Sequence, residues 1–134
     1  MQSDKFTALV RNAIGAAQSA ALAADHQKLT AEHVLAALLK DDNMTVKMLL
    51  AKAGADSASL SALLKAGLDK FPQVTGSGAG QLQLDADLAR ILAAVEAEAK
   101  ARHDQFVAVD LLLLGMTKST GSVGKILKKA GVEP

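Results

Sequence analysis

The feature that most constrains this chain is a gapless match to itself. Residues 8 to 55 lie over residues 85 to 132 at an offset of 77. The identical pairs include Ile14/Ile91, Ala16/Ala93, Ala17/Ala94, Ala20/Ala97, Ala24/Ala101, His26/His103, Ala31/Ala108, Leu35/Leu112, Val46/Val123 and Leu50/Leu127, and Lys52-Ala53-Gly54 recurs as Lys129-Ala130-Gly131. Alanine richness alone would not hold the histidine, leucine and Lys-Ala-Gly pairs in one register. A unit of this size cannot bury its own apolar faces, so two copies are expected to pack together about a pseudo-twofold axis. The seam between them is the expected groove.

With 134 residues, half of them hydrophobic, the chain suffices for one compact domain and is too short for two ordinary ones. The expected division is a single domain over 1–134, with repeat one at about 4–71, a linker at 72–83 and repeat two at about 84–134. Each copy reads as about four short helices, so the expected fold class is all-α. Phe6, Leu9, Val10, Ala13, Ile14 and Ala17 recur at three- and four-residue spacing, which predicts an amphipathic helix from about Asp4 to Ala24. Thr30 and Thr45 are the expected N-caps of the second and third helices, and Gly54 the left-handed stop of the third. Asp56 or Ser57 opens a fourth, with Leu60, Leu63, Leu64, Leu68 and Phe71 along one face and Pro72 after its end. The segment PQVTGSGAGQLQ is glycine-rich and polar, as a mobile connection between repeats should be. Helices then recur near 85–101, 109–117 and 122–130, and the chain stops where the second copy's fourth helix would begin, so that helix is missing or truncated.

Fifteen Lys and Arg against fourteen Asp and Glu leave no basic field for nucleic acid or an anionic membrane, and three Phe without Trp or Tyr offer no stacking platform for bases. No cysteine is present, the first residues lack a signal peptide's pattern, and no apolar run approaches the roughly 20 residues that span a bilayer. A soluble cytoplasmic protein is expected.

Three stretches resemble sites. HQKLTAEHVLAALL, from His26 to Leu39, gathers two histidines and a glutamate, but supplies fewer than the three or four ligands zinc needs, so no metal is expected. At the offset of 77, His26 survives as His103 while Glu32 becomes Val109 and His33 becomes Asp110, which points to His26 as a residue that closes a turn. GSVGKIL, from Gly121, lacks the glycine and the Ser or Thr that a phosphate-binding loop requires, and Ser122 is better read as a helix cap. Leu111, Leu112, Leu113 and Leu114 cover every side of one helical turn, so one of them should reach the surface or a groove. Nothing here makes an enzyme.

The motif HxxxTxEHxLxALL in the first copy, the Ala-Gly after each third helix, and FPQVTGSGAGQLQLDADLARIL across the linker together resemble the Clp N-terminal domain family, the double Clp repeat of AAA+ unfoldases and disaggregases. The resemblance implies eight helices, tethering to an ATPase ring expected to be hexameric, and weak binding of unfolded or aggregated protein clients, with a DnaK-type chaperone system as a further partner. It implies no cofactor in this domain, ATP and magnesium being expected in ATPase domains outside it. Carried over residue by residue, the implied client site is a polar rim of Thr7, Asp104 and Asp110 around an apolar groove of Ile14, Leu92 and Leu111. The alternative is docking of an adaptor or of phosphoarginine, as in ClpA- and ClpC-type proteins, through Thr7 and Glu32, with Val109 standing where the second repeat's Glu is expected.

Overall fold

The computed structural model describes residues 6–40, 44–70, 83–104 and 106–131. Phe71, Pro72, the glycine-rich segment up to residue 82, Asp4, and the chain end at Glu133 and Pro134 lie outside the described residues. Among those described, seven helices carry the fold, as the all-α expectation requires. They are α1 (Ala8–Ala23), α2 (Ala31–Lys40), α3 (Met44–Lys52), α4 (Ser57–Asp69), α5 (Ala86–Ala101), α6 (Val109–Thr117) and α7 (Ser122–Lys129). Two short strands, β1 (Lys28–Leu29) and β2 (Gln83–Leu84), pair in parallel.

Local chemistry sets most boundaries. Thr7 is extended and its hydroxyl accepts from the Val10 amide, so α1 starts at Ala8, about four residues after the sequence pattern suggests. Thr30 Oγ1 accepts from the His33 amide at the start of α2, and Asp56 accepts from the Ala58 amide at the start of α4, both as expected. Two caps differ. Thr45 lies inside α3, which begins at Met44, and Gly121 rather than Ser122 is the N-cap of α7. Gly54 ends α3 at φ 93°, with the Ala55 amide returning to the Leu50 carbonyl, the reach that a left-handed residue permits.

The register of the duplication is corrected by the fold. α1 and α5 lie 78 positions apart at both ends, not 77. Their buried residues agree: Val10, Ala13, Ile14, Ala17 and Ala21 answer to Leu88, Ile91, Leu92, Val95 and Ala99. The turns after them agree as well. The Asp25 and His26 amides bond to Leu22 and Ala21 carbonyls, the His103 and Asp104 amides to Lys100 and Ala99, with Asp25 and His103 both at positive φ. His103 is therefore the counterpart of Asp25, and His26 that of Asp104. Likewise Ala31, His33, Val34, Leu35 and Leu38 of α2 answer to Val109, Leu111, Leu112, Leu113 and Met116 of α6. The 77 register returns only beyond the α6–α7 connection, where Val46, Leu50 and Gly54 match Val123, Leu127 and Gly131. One residue is lost in that connection. Buried positions must keep register to pack, whereas surface alanines match by composition.

The copies are laced crosswise. The Thr7 amide donates to the Val107 carbonyl at 3.1 Å, and the Asp85 amide donates to the Leu29 carbonyl at 2.9 Å, so each repeat's leading arm pairs with the other repeat's strand segment. α1 packs on α2 and α5 on α6, while α3 meets α6 and α4 meets α7 across the seam. Phe6, Val10, Leu35, Leu60, Leu88 and Leu112 are fully buried in the resulting core. At the seam Gly54 and Gly131 face each other so closely that a Cβ on either would stand 2.8–2.9 Å from the other's carbonyl oxygen.

Candidate functional site

Because backbone ladders and the paired glycines fill the seam, the described clefts lie inside each repeat and not between the copies, contrary to the sequence-based expectation. Two of them flank α5, whose outward Ala93, Ala94 and Ala97 are too short to fill the surface around them. The first, about 320 Å³, runs between α5 and α6. Ile91, Val95, Leu111 and Leu114 form its apolar walls, and Arg90, Glu98 and Lys118 stand among the residues at its edge. At one end Asp87 accepts from Ser119 Oγ at 3.0 and 3.1 Å and lies 3.6 Å from Arg90. The second cleft lies beyond Ala93 and Ala97, lined by Glu96, Lys100, Asp104, Phe106 and Val107. Phe106 is 51% exposed there.

The residues expected from the sequence are distributed over this region unequally. Leu111 is a wall of the α5–α6 cleft. Ile14 and Leu92 are 6% and 5% exposed and belong to the core, and they are not among the lining residues of the described clefts. Asp104 is exposed on the second cleft. Thr7 is half-buried, its hydroxyl engaged as the α1 cap and its amide bound to Val107, which lines that same cleft. Asp110 is exposed in the first turn of α6, with Oδ1 accepting from the Leu111 amide at 2.9 Å. Of the leucine run, Leu111, Leu112 and Leu113 are buried and Leu114 is the partly exposed member.

Glu32 is buried, and its carboxylate accepts from Ser122 Oγ at the start of α7. This is the bond that Ser122 makes in place of the expected cap. The corrected register makes Asp110, not Val109, the counterpart of Glu32, so the second repeat does keep an acid at that place. Of its neighbours, His26 Nδ1 and His33 Nε2 are 2.8 Å apart, and His33 Nδ1 takes the Thr30 amide. Burial, with repulsion from His26, lowers the His33 pKa from 6.5 to about 4. No group of three or more His, Cys, Asp or Glu that could hold a metal occurs among the described residues.

Phe106, Ile91 and Leu114 were not singled out from the sequence as site residues. Phe106 carried a usable signal, since it is one of only three aromatic residues and falls in the short connection between α5 and α6. Leu114 is the member of the four-leucine run that the run itself predicted would reach the surface, whereas Ile91, buried at the cleft floor, carried no signal, because apolar residues at helical spacing read as core.

Among the described residues the chain is thus a seven-helix double repeat with crossed arms and shallow apolar clefts. The family model of the Clp repeat (R) N-terminal domain matches residues 5–130, and the chain belongs to that family. It is 40% identical over 135 residues to the chaperone protein ClpB of Rhizobium meliloti (strain 1021), covering 100% of this chain and 15% of that one. Among solved structures it is similar to the Hsp104 N-terminal domain from Candida albicans, with a TM-score of 0.82, 22% identity, and coverage of 96% of this chain and 83% of that one. Another, described as a peptide from the EAEC type VI secretion system Sci1 SciI protein, matches with a TM-score of 0.78 at 20% identity, over 92% of this chain and 80% of that one. The chain thus corresponds to the N-terminal domain of ClpB- and Hsp104-type chaperones and spans about 15% of the ClpB length. No helix among the described residues is long and apolar enough to cross a membrane.

Proposed function

We propose that this domain is the client-recognition end of a ClpB-like disaggregase in the cytoplasm, and that it takes exposed apolar segments of unfolded or aggregated protein in the α5–α6 cleft. The observation that carries this reading is the α5–α6 cleft itself, floored by Ile91, Val95 and Leu111 and edged by the partly exposed Leu114, with Phe106 51% exposed across α5. Phe106 and Asp104, across α5, extend the surface, and Asp110 and Thr7 supply polar groups near its margin. Ile14 and Leu92 back it from the core. Each apolar contact contributes on the order of 1 kcal/mol, so a few of them give only micromolar to millimolar affinity. Weak binding suits a module that captures many sequences and hands them on.

The parent chain's ATPase ring, expected to be hexameric and to use ATP and magnesium, would do the mechanical work, with a DnaK-type system delivering clients. Docking of an adaptor or of phosphoarginine through Thr7 and Glu32 is less favoured, since both side chains already serve helix starts and Glu32 is buried. Titration of the labelled domain with a permanently unfolded client tests the proposal. Amide shifts should map to Ile91, Leu111, Leu114 and Phe106 and should persist at 0.5 M salt, which screens charged docking. Shifts confined to α4 and α7 would overturn it.

A further inference from the structure

The polar corner of the first repeat has no counterpart in the second, and its hydrogen bonds hold only one protonation state. The Thr30 amide donates to His33 Nδ1 at 3.0 Å, and the Thr30 hydroxyl lies 2.8 Å from the same nitrogen. Nδ1 is therefore an acceptor, and the ring proton of neutral His33 sits on Nε2. That Nε2–H faces His26 Nδ1 at 2.8 Å, which makes His26 Nδ1 an acceptor too. Both rings are buried. A proton added to either ring must go to its Nδ1. On His33 it would oppose the Thr30 N–H and could be accepted only by the Thr30 hydroxyl, which already accepts from the His33 amide; on His26 it would oppose the His33 Nε2–H. Either way a donor meets a donor at hydrogen-bond distance.

The rings close one wall of a cleft between α1, α2 and α4, together with Ala20, Ala24, Leu39, Leu64 and Leu68. The charged groups on that cleft are Lys40 from α2 and Lys65 and Asp69 from α4, and α1 brings only alanines. Asp25 adjoins His26 in the turn, and Glu32 adjoins His33 with its carboxylate on Ser122.

We propose that His26, His33 and Thr30 form an acid-released latch: neutral, the pair holds the α1–α2 corner shut, and protonated it lets that corner and α4 part, uncovering Leu64 and Leu68. The low pKa of His33 agrees with this, since burial already disfavours its charged form. The device belongs to the fold and is independent of which client the domain takes. The second repeat has Leu111 at the place of His33 and Ala108 at that of Thr30, so it lacks the latch.

Amide hydrogen exchange of this chain, corrected for intrinsic rates, reads the opening directly. A ring titrating at its ordinary 6.5 when open and about 4 when closed raises the open fraction by about 30-fold at pH 5 relative to pH 8. Protection in the first turn of α2 and in α4 should fall by that factor, while α6 keeps its protection. His33→Asn retains an acceptor for the Thr30 amide without a titrating ring and should remove the difference between repeats. The His33 ring, followed by NMR in the wild-type chain, should titrate near 4. Equal pH dependence of α2 and α6, a His33→Asn chain that still opens selectively in acid, or a His33 ring titrating at its ordinary value would each overturn the latch.

Discussion

Where the first repeat buries a threonine, a glutamate and a histidine around the start of its second helix, the second repeat has an alanine, an exposed aspartate and a buried leucine: Thr30, Glu32 and His33 against Ala108, Asp110 and Leu111. Otherwise α1, α2 and α3 correspond to α5, α6 and α7 in their turns and buried apolar positions. The shared apolar positions hold the architecture, because packing tolerates exchange of Val10 for Leu88 or of Ile14 for Leu92 so long as the stripe stays in register. The unshared polar positions are free to differentiate. They make the first repeat sensitive to protons, and they give the clefts of the two repeats different polar linings.

If both stripes carry the fold equally, the largest losses should come from their centres, and in equal measure. Leu35→Ala and its counterpart Leu113→Ala each empty a buried site and should each cost about 2 to 5 kcal/mol in urea melts. A loss in one repeat alone would show that one copy folds and the other merely leans on it. The next effect should separate the copies. His33 is held neutral, so the unfolded chain binds more protons than the folded one below pH 6.5, and stability falls as pH drops toward 4. From pH 7.5 to 4.5 this residue's share of the loss is about 2 to 3 kcal/mol, and His33→Leu, which copies the second repeat, should lack that share.

Smaller again is the effect at the symmetric point. Gly54→Ala and Gly131→Ala each force an L side chain into a left-handed conformation against the opposite carbonyl, at about 1 to 2 kcal/mol each. The double variant should cost less than the two together, since one adjustment of the seam serves both, and a double-mutant cycle measures the shortfall. The smallest effect concerns Asp110. As a first-turn carboxylate it contributes roughly 0.3 to 1 kcal/mol, lost in Asp110→Asn. If it also meets clients, affinity in the titration falls as well; undiminished affinity would make the site purely apolar.

The helices, the caps at Thr30 and Asp56, the stop at Gly54 and the existence of a duplication were legible in the sequence, because periodic apolar residues and cap chemistry act over a few positions. The one-residue change of register was not. Ile14/Ile91 and His26/His103 are identical yet do not occupy equivalent places, while Ile14/Leu92 and His26/Asp104 do; identity counts letters, and packing counts faces. The stripe Leu88, Ile91, Leu92, Val95 and Ala99 set against Val10, Ala13, Ile14, Ala17 and Ala21 contained the answer. The bond between Ser122 and Glu32, 90 positions apart, and the two-residue strands leave no local pattern at all. For the site, Leu111 was legible through its four-leucine run, whereas the coverage of Ile14 and Leu92 depended on the packing around them.

The crossed arms carry a consequence for the chain as it is made. Phe6 bridges to Val107, so the Phe6 segment finds its partner only after about 100 more residues are added, roughly 5 to 20 s at ordinary synthesis rates. Leu29 waits in the same way for Leu84. Until then the nascent first copy holds its helices with an unpaired arm and an incomplete core, which is the kind of exposed segment that chaperones bind.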